Sequence, residues 1–173
     1  MIIELLGPQH IQIYRDLRLK ALREVPTAFA TSHAEEAARP LGDFLAKLRP
    51  NGDPVSGIFG AFDPGDTLVG MLGFAREVRA KRAHIGSLSG MFVVPGRRRG
   101  GVARSLANAA IKHARRLAAI RQVFLTVTEG NIAAHDLYLS LGFVPFGLEP
   151  DALLVEGTFY DQVHMALKLE ADA

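Results

Sequence analysis

The 173-residue sequence contains no cysteine. That excludes disulfides, thiolate metal sites and a cysteine nucleophile, and it fits a cytoplasmic protein. No apolar run approaches the ~18 residues a membrane helix needs, so no membrane association is expected. Met1-Ile2-Ile3-Glu4 reads as the start of a strand, without the basic n-region and cleavage site of a signal peptide. His10, His33, His84, His113, His135 and His164 are scattered without metal-ligand spacing, and no metal is expected. The Gly-x-x-x-x-Gly-Lys-Ser/Thr pattern of a P-loop is missing. Carboxylates are also missing from one long stretch. Between Val78 and Thr128 there is no Asp or Glu, while eleven Lys and Arg residues fall there. Net charge is only +2, so the cations are segregated rather than abundant. Such a block makes a positive field that attracts an anionic ligand.

Inside that block lies the most informative stretch. Leu88 to Val94 is an apolar run that stops at Pro95. Gly96, Arg97, Arg98, Arg99, Gly100 and Gly101 follow, and a helical pattern begins at Val102. A strand, a turn of exposed amides and a helix N-terminus make a site for phosphate. Glycine lets backbone approach an anion, and arginine matches phosphate oxygens with a fork of donors. The turn is expected to hold the pyrophosphate of a nucleotide-containing cofactor. Lys112, Arg115 and Arg116 read instead as a solvated helix face.

The remaining chain divides into short elements with no internal repeat and no linker. One domain over residues 1–173 is expected. Ile2 to Leu6 reads as a strand, and Gln9 to Arg23 as a helix ended by Pro26. Ser32 with Glu35 forms a capping box for a short helix, and Pro40 to Arg49 continues as another. Pro50 to Pro54 reads as a turn. Ser56 to Phe62 and Thr67 to Ala75 are strands joined by a turn at Asp63 to Asp66. Ala83 to Val94 is a further strand. Val102 to Ala119 is a helix with Val102, Leu106, Ala109, Ala110, His113 and Leu117 on its inner face. Gln122 to Thr128 is a strand, and Ile132 to Leu141 a helix that Gly142 caps. Phe143 to Phe146 starts a strand. Ala152 to Val155 and Asp161 to Leu169 are the last two, turning at Glu156-Gly157. Hairpins followed by strand–helix alternation predict an α/β (α+β) fold, a mixed sheet with helices on its faces.

Two motifs then stand in order. Arg98-Arg99-Gly100-Gly101-Val102-Ala103 fits Arg/Gln-x-x-Gly-x-Gly/Ala. About thirty residues on, Asn131 to Phe143 fits Asn-x-x-Ala-x-x-Leu-Tyr-x-x-x-Gly-Phe. Together they resemble the GNAT (GCN5-related) N-acetyltransferases, from about residue 84 to 169. Two departures are visible. Arg99-Gly100 inverts the commoner order of glycine then basic residue, and Ala103 replaces the more frequent second glycine. The resemblance implies a mostly antiparallel sheet with one splayed parallel pair, acetyl-CoA as cosubstrate, and acetyl transfer to a primary amine. It implies that Arg98, Arg99, Gly100, Gly101, Val102, Ala103 and Arg104 form the pyrophosphate turn. The backbone of Met91, Phe92 and Val93 would pair with pantetheine, Asn131 would bond the same arm, and Tyr138 would lie near the sulfur as general acid. It also implies a homodimer and, from the tail, a small-molecule amine such as an amino acid. Acceptor choice in such proteins falls to the N-terminal helices and last hairpin, which here offer Glu35, Glu36 and Tyr160.

Thioester aminolysis needs a neutral amine, a polarised carbonyl and a proton for the departing sulfur. A tyrosine, with a pKa near ~10, can give that proton. Tyr138 can equally be a core aromatic, and Asn131 a helix N-cap. Glu129, just past its strand, is the candidate base; Glu77 and Glu36 compete with it. His84 and Ser87 are neutral relay candidates, and His135 reads as surface or core. Other functions stay in view: acetylation of a protein or peptide N-terminus, a CoA-binding module without catalysis, and a nucleic-acid-binding module using the basic stretch. The small net charge and the absence of interleaved aromatics count against nucleic acid.

Overall fold

The computed structural model describes residues 1–48, 53 and 55–169. Seven strands form one sheet in the order β1-β2-β3-β4-β5-β7-β6. They are β1 (Ile2–Leu5), β2 (Gly57–Phe62), β3 (Leu68–Arg76), β4 (Ile85–Val93), β5 (Gln122–Thr128), β6 (Val144–Val155) and β7 (Thr158–Lys168). Every neighbouring pair is antiparallel except β4 with β5. This is the mixed sheet that the motifs implied. The expected turn over 50–54, apart from Asp53, and the last residue of the preceding helix lie outside the described residues.

Five helices cover the two faces: α1 (Ile11–Glu24), α2 (His33–Ala37), α3 (Leu41–Leu48), α4 (Val102–Arg116) and α5 (Ile132–Ser140). On one face Tyr14, Leu17, Ala21 and Leu22 of α1 and Phe44 and Leu48 of α3 pack with Met71 and Phe92. On the other face α4 presses Leu106, Ala107, Ala110 and Ala114 onto the sheet, all fully buried. Alanines at these positions let the helix backbone approach the strands closely. The α4 stripe differs from the expected one: Ala107, Ile111 and Ala114 are buried, whereas Ala109, His113 and Leu117 sit at its margin. The His113 ring lies edge-on between Phe59 and Phe74, with Nε2 2.7 Å from the Val55 carbonyl oxygen. Ser32 and Glu35 do form the capping box of α2.

The tail shows one difference. The stretch expected as separate pieces at 143–146 and 152–155 is one strand, Val144–Val155. Its register slips between Glu149 and Leu153, around Asp151 with φ of +52°. Pro145 and Pro150 fall inside it, which is possible because β6 is an edge strand, where a missing amide donor is tolerated.

Candidate active site

β4 and β5 pair only over Ile85↔Gln122, Gly86↔Val123 and Ser87↔Phe124. From Leu88 onward β4 has no strand partner on that side among the described residues, and the strands diverge. Both run the same way, so the turn after β4 and the segment after β5 lie at the same open end. The crevice beyond the carboxyl ends of parallel strands, where chain connections part, is the usual ligand site of such sheets. His84 and Ser87 lie at the closed end; Ser87 Oγ donates to the Ala75 carbonyl.

The turn after β4 leads into a helix N-terminus, a geometry that suits an anion. Arg99 and Gly101 both take left-handed conformations, with φ of +62° and +79°. Gly101 caps α4, whose first amides have no carbonyl one turn back to receive them. The amides of Arg99, Gly100 and Gly101 donate to no backbone carbonyl among the described residues. A Cβ built on Gly101 meets no atom within 4 Å, so the space above the turn is open to a ligand. The inverted Arg99-Gly100 order puts arginine at the first left-handed position, a conformation that favours glycine. The three arginines have different duties. Arg97 pairs with Asp63 in the β2–β3 turn and, with the Thr67 amide as the larger cause, holds that carboxyl below its usual range. Arg98 donates Nε to the Val93 carbonyl at 2.9 Å and lies over Phe92, supporting the turn from behind. Arg99 makes no side-chain bond among the described residues and is exposed. Arg104 donates to Ser140 Oγ at 2.8 Å, tying α4 to α5.

Near Met91 the strand is irregular. The β3–β4 register skips between Met71↔Phe92 and Gly73↔Ser89, and Gly90 has φ of +67°. Met91 therefore sits beside a bulge on the strand that faces the gap, where an extended arm could hydrogen-bond as an added strand.

Across the gap, Thr128, Glu129, Asn131, Ile132, His135 and Val163 line a cavity of about 240 Å³. The Asn131 side chain caps α5 by accepting from the Ala134 amide at 3.3 Å. That uses its oxygen and leaves its two NH₂ donors for another partner. Asn131, His135 and Tyr138 recur at helical spacing on one side of α5. His135 joins this cavity although its sequence position gave no sign of it. The Tyr138 ring is 5% exposed and packs edge-on against Phe143 at 5.5 Å. Burial pushes its hydroxyl up to about 12, which keeps it protonated at neutral pH. Glu129 is exposed at the cavity wall. Glu77 is clasped by Arg79 and Arg82, and Arg79 above all holds its carboxyl down to about 2, which makes a weak base. Glu35 is committed to the α2 cap.

On the α1 and α3 face, a second cavity of about 420 Å³ adjoins the bulge at Ser89 and Gly90. Tyr14, Arg18, Arg39 and Lys47 line it. The sequence marked none of Tyr14, Arg18 and Lys47 as functional; Tyr14 and Arg18, at i and i+4 on α1, were read only as part of an amphipathic helix, and Lys47 stands on α3.

The sequence model of the acetyltransferase (GNAT) family matches residues 18–143. The chain belongs to the GNAT acetyltransferase family. Solved GNAT-fold structures agree over nearly the whole chain. A GNAT acetyltransferase from Streptococcus pneumoniae is 20% identical with a TM-score of 0.87, covering 97% of this chain and 99% of its own. A ribosomal-protein-alanine N-acetyltransferase from Brucella melitensis is 20% identical with a TM-score of 0.84, covering 98% and 100%. yncA from Salmonella typhimurium, solved with its cofactor acetyl-CoA, is 18% identical with a TM-score of 0.84, covering 99% and 95%. At these identities the likeness is one of fold. No curated protein matches the chain by sequence. Within the described residues no helix is long and apolar enough to cross a membrane, and no group of residues has the makings of a metal site.

Proposed function

We propose that this GNAT enzyme moves the acetyl group of acetyl-CoA to a primary amine on a small molecule, such as an amino acid, by direct attack in a ternary complex. One observation carries the reading: the anion-ready turn, the unpaired edge of β4 and the cavity at Gly90 are contiguous. The cosubstrate supplies an activated acetyl thioester. The turn from Arg98 to Arg104 receives its pyrophosphate, and the backbone of Met91, Phe92 and Val93, with the Asn131 amide, receives the pantetheine arm. Glu129 takes a proton from the attacking amine, directly or through water, and Tyr138 gives one to the departing sulfur. The amine nitrogen gains the acetyl carbon as the carbon–sulfur bond breaks, so charge and protons balance without an acyl-enzyme.

A cavity of about 420 Å³ is of the size that small molecules occupy, which favours a small acceptor over a folded protein. The Brucella melitensis protein acts, by its name, on a ribosomal protein; that acceptor is the alternative arm of the test. A screen of amino acids, polyamines and peptide N-termini, read by release of the CoA thiol, decides between them. Thiol release with amino acids alone supports the proposal; release with peptides alone overturns it. The same reading takes residues 1–173 as one cytoplasmic domain without a membrane or nucleic-acid partner, acting as a homodimer. Exposed Val144, Phe146 and Leu148 on the edge strand β6 support self-association. Sedimentation as a monomer at micromolar concentration would remove the dimer from the proposal.

A further inference from the structure

Beside the larger cavity lies a charge cluster to which the proton and acetyl transfers above assign no role. Glu36 of α2 is fully buried. Its Oε1 accepts from Lys47 Nζ at 2.9 Å and from Arg18 Nε at 3.3 Å. Its Oε2 is buried without a hydrogen-bond partner among the described residues. Because Glu36 engages Nε, the two terminal nitrogens of Arg18 remain, and neither makes a hydrogen bond among the described residues. The guanidinium is stacked on the Phe29 ring at 4.6 Å. Its Nη1 stands 3.2 Å from the position a Cβ on Gly90 would take. The fork is therefore held by Glu36 and Phe29, fills the space that a side chain at Gly90 would take, and lines the cavity. Arg39 and Lys47 add two further cations to the lining, against Asp43 and the buried Glu36. Three cations against two carboxylates leave the site one charge positive.

A guanidinium with its terminal donors free and its orientation fixed matches a planar two-oxygen anion. We propose that Arg18 is the specificity residue for a carboxylate carried by the acceptor next to its amine, with Glu36 as the residue that positions it. The inference rests on the amine-acetylation reading and narrows it to acidic acceptors of the α-amino acid type. Gly90 adjoins Met91, whose backbone faces the cosubstrate groove. Successive strand residues are ~3.3 Å apart. An amine one carbon away from a carboxylate spans a comparable length, so a carboxylate at Arg18 leaves its amine close to the reacting end of that groove. The Tyr14 hydroxyl, pushed up to about 12 by burial, with the Arg18 charge opposing the rise and the smaller Glu36 contribution adding to it, stays a donor beside Arg18.

The test compares each α-amino acid with its own amide and its decarboxylated amine, for the intact enzyme and Arg18→Gln. The intact enzyme is expected to favour the carboxylate over the amide by ~10²-fold in kcat/KM, the value of a lost charge-assisted bond. Arg18→Gln should erase that ratio while leaving the KM for acetyl-CoA unchanged. A ratio within one preparation does not depend on how much protein folds. Glu36→Gln should raise the KM for the carboxylate acceptor with little change in kcat, as expected when a positioning group is lost, and Arg18→Lys should restore only part of the preference. An enzyme that acetylates amides as well as acids, or an Arg18→Gln variant that keeps the preference, overturns the role of Arg18 and leaves the amine reading standing. A wild-type enzyme that acetylates no member of the panel overturns both.

Discussion

The two proposed sites differ in kind: the cofactor side of the gap presents backbone, and the acceptor side presents side chains. The turn after β4 offers orphan amides set by two left-handed residues, Arg99 and Gly101, within a few positions of one another in the chain. The cavity under α1 and α3 offers Arg18, Lys47 and Tyr14, gathered from two helices around a carboxylate from a third. A backbone site depends on conformation and tolerates side-chain exchange wherever the conformation survives. A side-chain site can change its ligand with one substitution and leave the fold intact. A shared donor can thus be kept while the acceptor varies.

The largest effect should come from breaking the backbone site. Gly101→Val puts a branched side chain into the open space over the turn, at a φ that β-branched residues avoid. Acetyl-CoA affinity should fall by about 10²-fold or more, as at least one charged hydrogen bond and the close approach are lost together. Calorimetry measures it; a Kd equal to wild type would move the cradle elsewhere.

Tyr138→Phe tests a side chain on the cofactor side. Removing only the hydroxyl should lower kcat by ~10²-fold, the low end for general acid catalysis, with acetyl-CoA affinity nearly unchanged. The pH profile gives the sign. Burial raises the hydroxyl to about 12, so its protonated, active form persists as pH rises past ~10, the usual tyrosine value. An alkaline limb of kcat at about 10 would identify some other acid, as would an unchanged kcat in the variant when chemistry limits turnover.

Glu36→Ala breaks the acceptor side. It leaves Arg18 and Lys47 without their shared carboxylate in a largely buried place. Loss of one partner of a buried pair costs about 3 kcal/mol, the low end applying because Lys47 is 29% exposed. Urea melts should show it, while acetyl-CoA affinity holds. A variant as stable as wild type would mean that the cluster is solvated and poorly ordered.

The smallest effect should be a gain. Arg99→Gly relieves a left-handed arginine worth ~1 kcal/mol, which raises Tm by about 2–4 °C in a chain of this size. A lower melting point would show that the Arg99 side chain holds the turn by a contact stronger than its strain.

The same contrast explains what could be read from the sequence. Glycines and arginines at 96–101 are contiguous, and they answer a local backbone need, so the turn into α4 was legible. The Asn131 cap and the Gly142 stop were legible for the same reason. The order of strands and helices followed from periodicity. The single strand Val144–Val155 was hidden because Pro145 and Pro150 carry the signal of a break, and only the edge position of β6 makes them tolerable. The α4 stripe was misplaced by a fraction of a turn because alanines at 107 and 114 are as compatible with a solvated face as with a close-packed one. Arg18, Glu36 and Lys47 are ordinary charges on three amphipathic helices. Only the folding of α1, α2 and α3 onto one sheet face brings them together.

The divergence of β4 from β5 has a mechanical consequence. Among the described residues, a short clasp of three residue pairs near Ile85, with backbone bonds to His84 beside it, joins the two sections of the sheet, β1-β2-β3-β4 and β5-β7-β6, edge to edge. Beyond it, the ladder of main-chain bonds that makes a sheet stiff is interrupted. An extended molecule lying there restores the ladder, acting for the duration of a turnover as a temporary eighth strand. In the proposed reading, catalysis and architecture are then periodically the same event: the ladder would be completed when the acetyl donor arrives and interrupted again when the free thiol leaves.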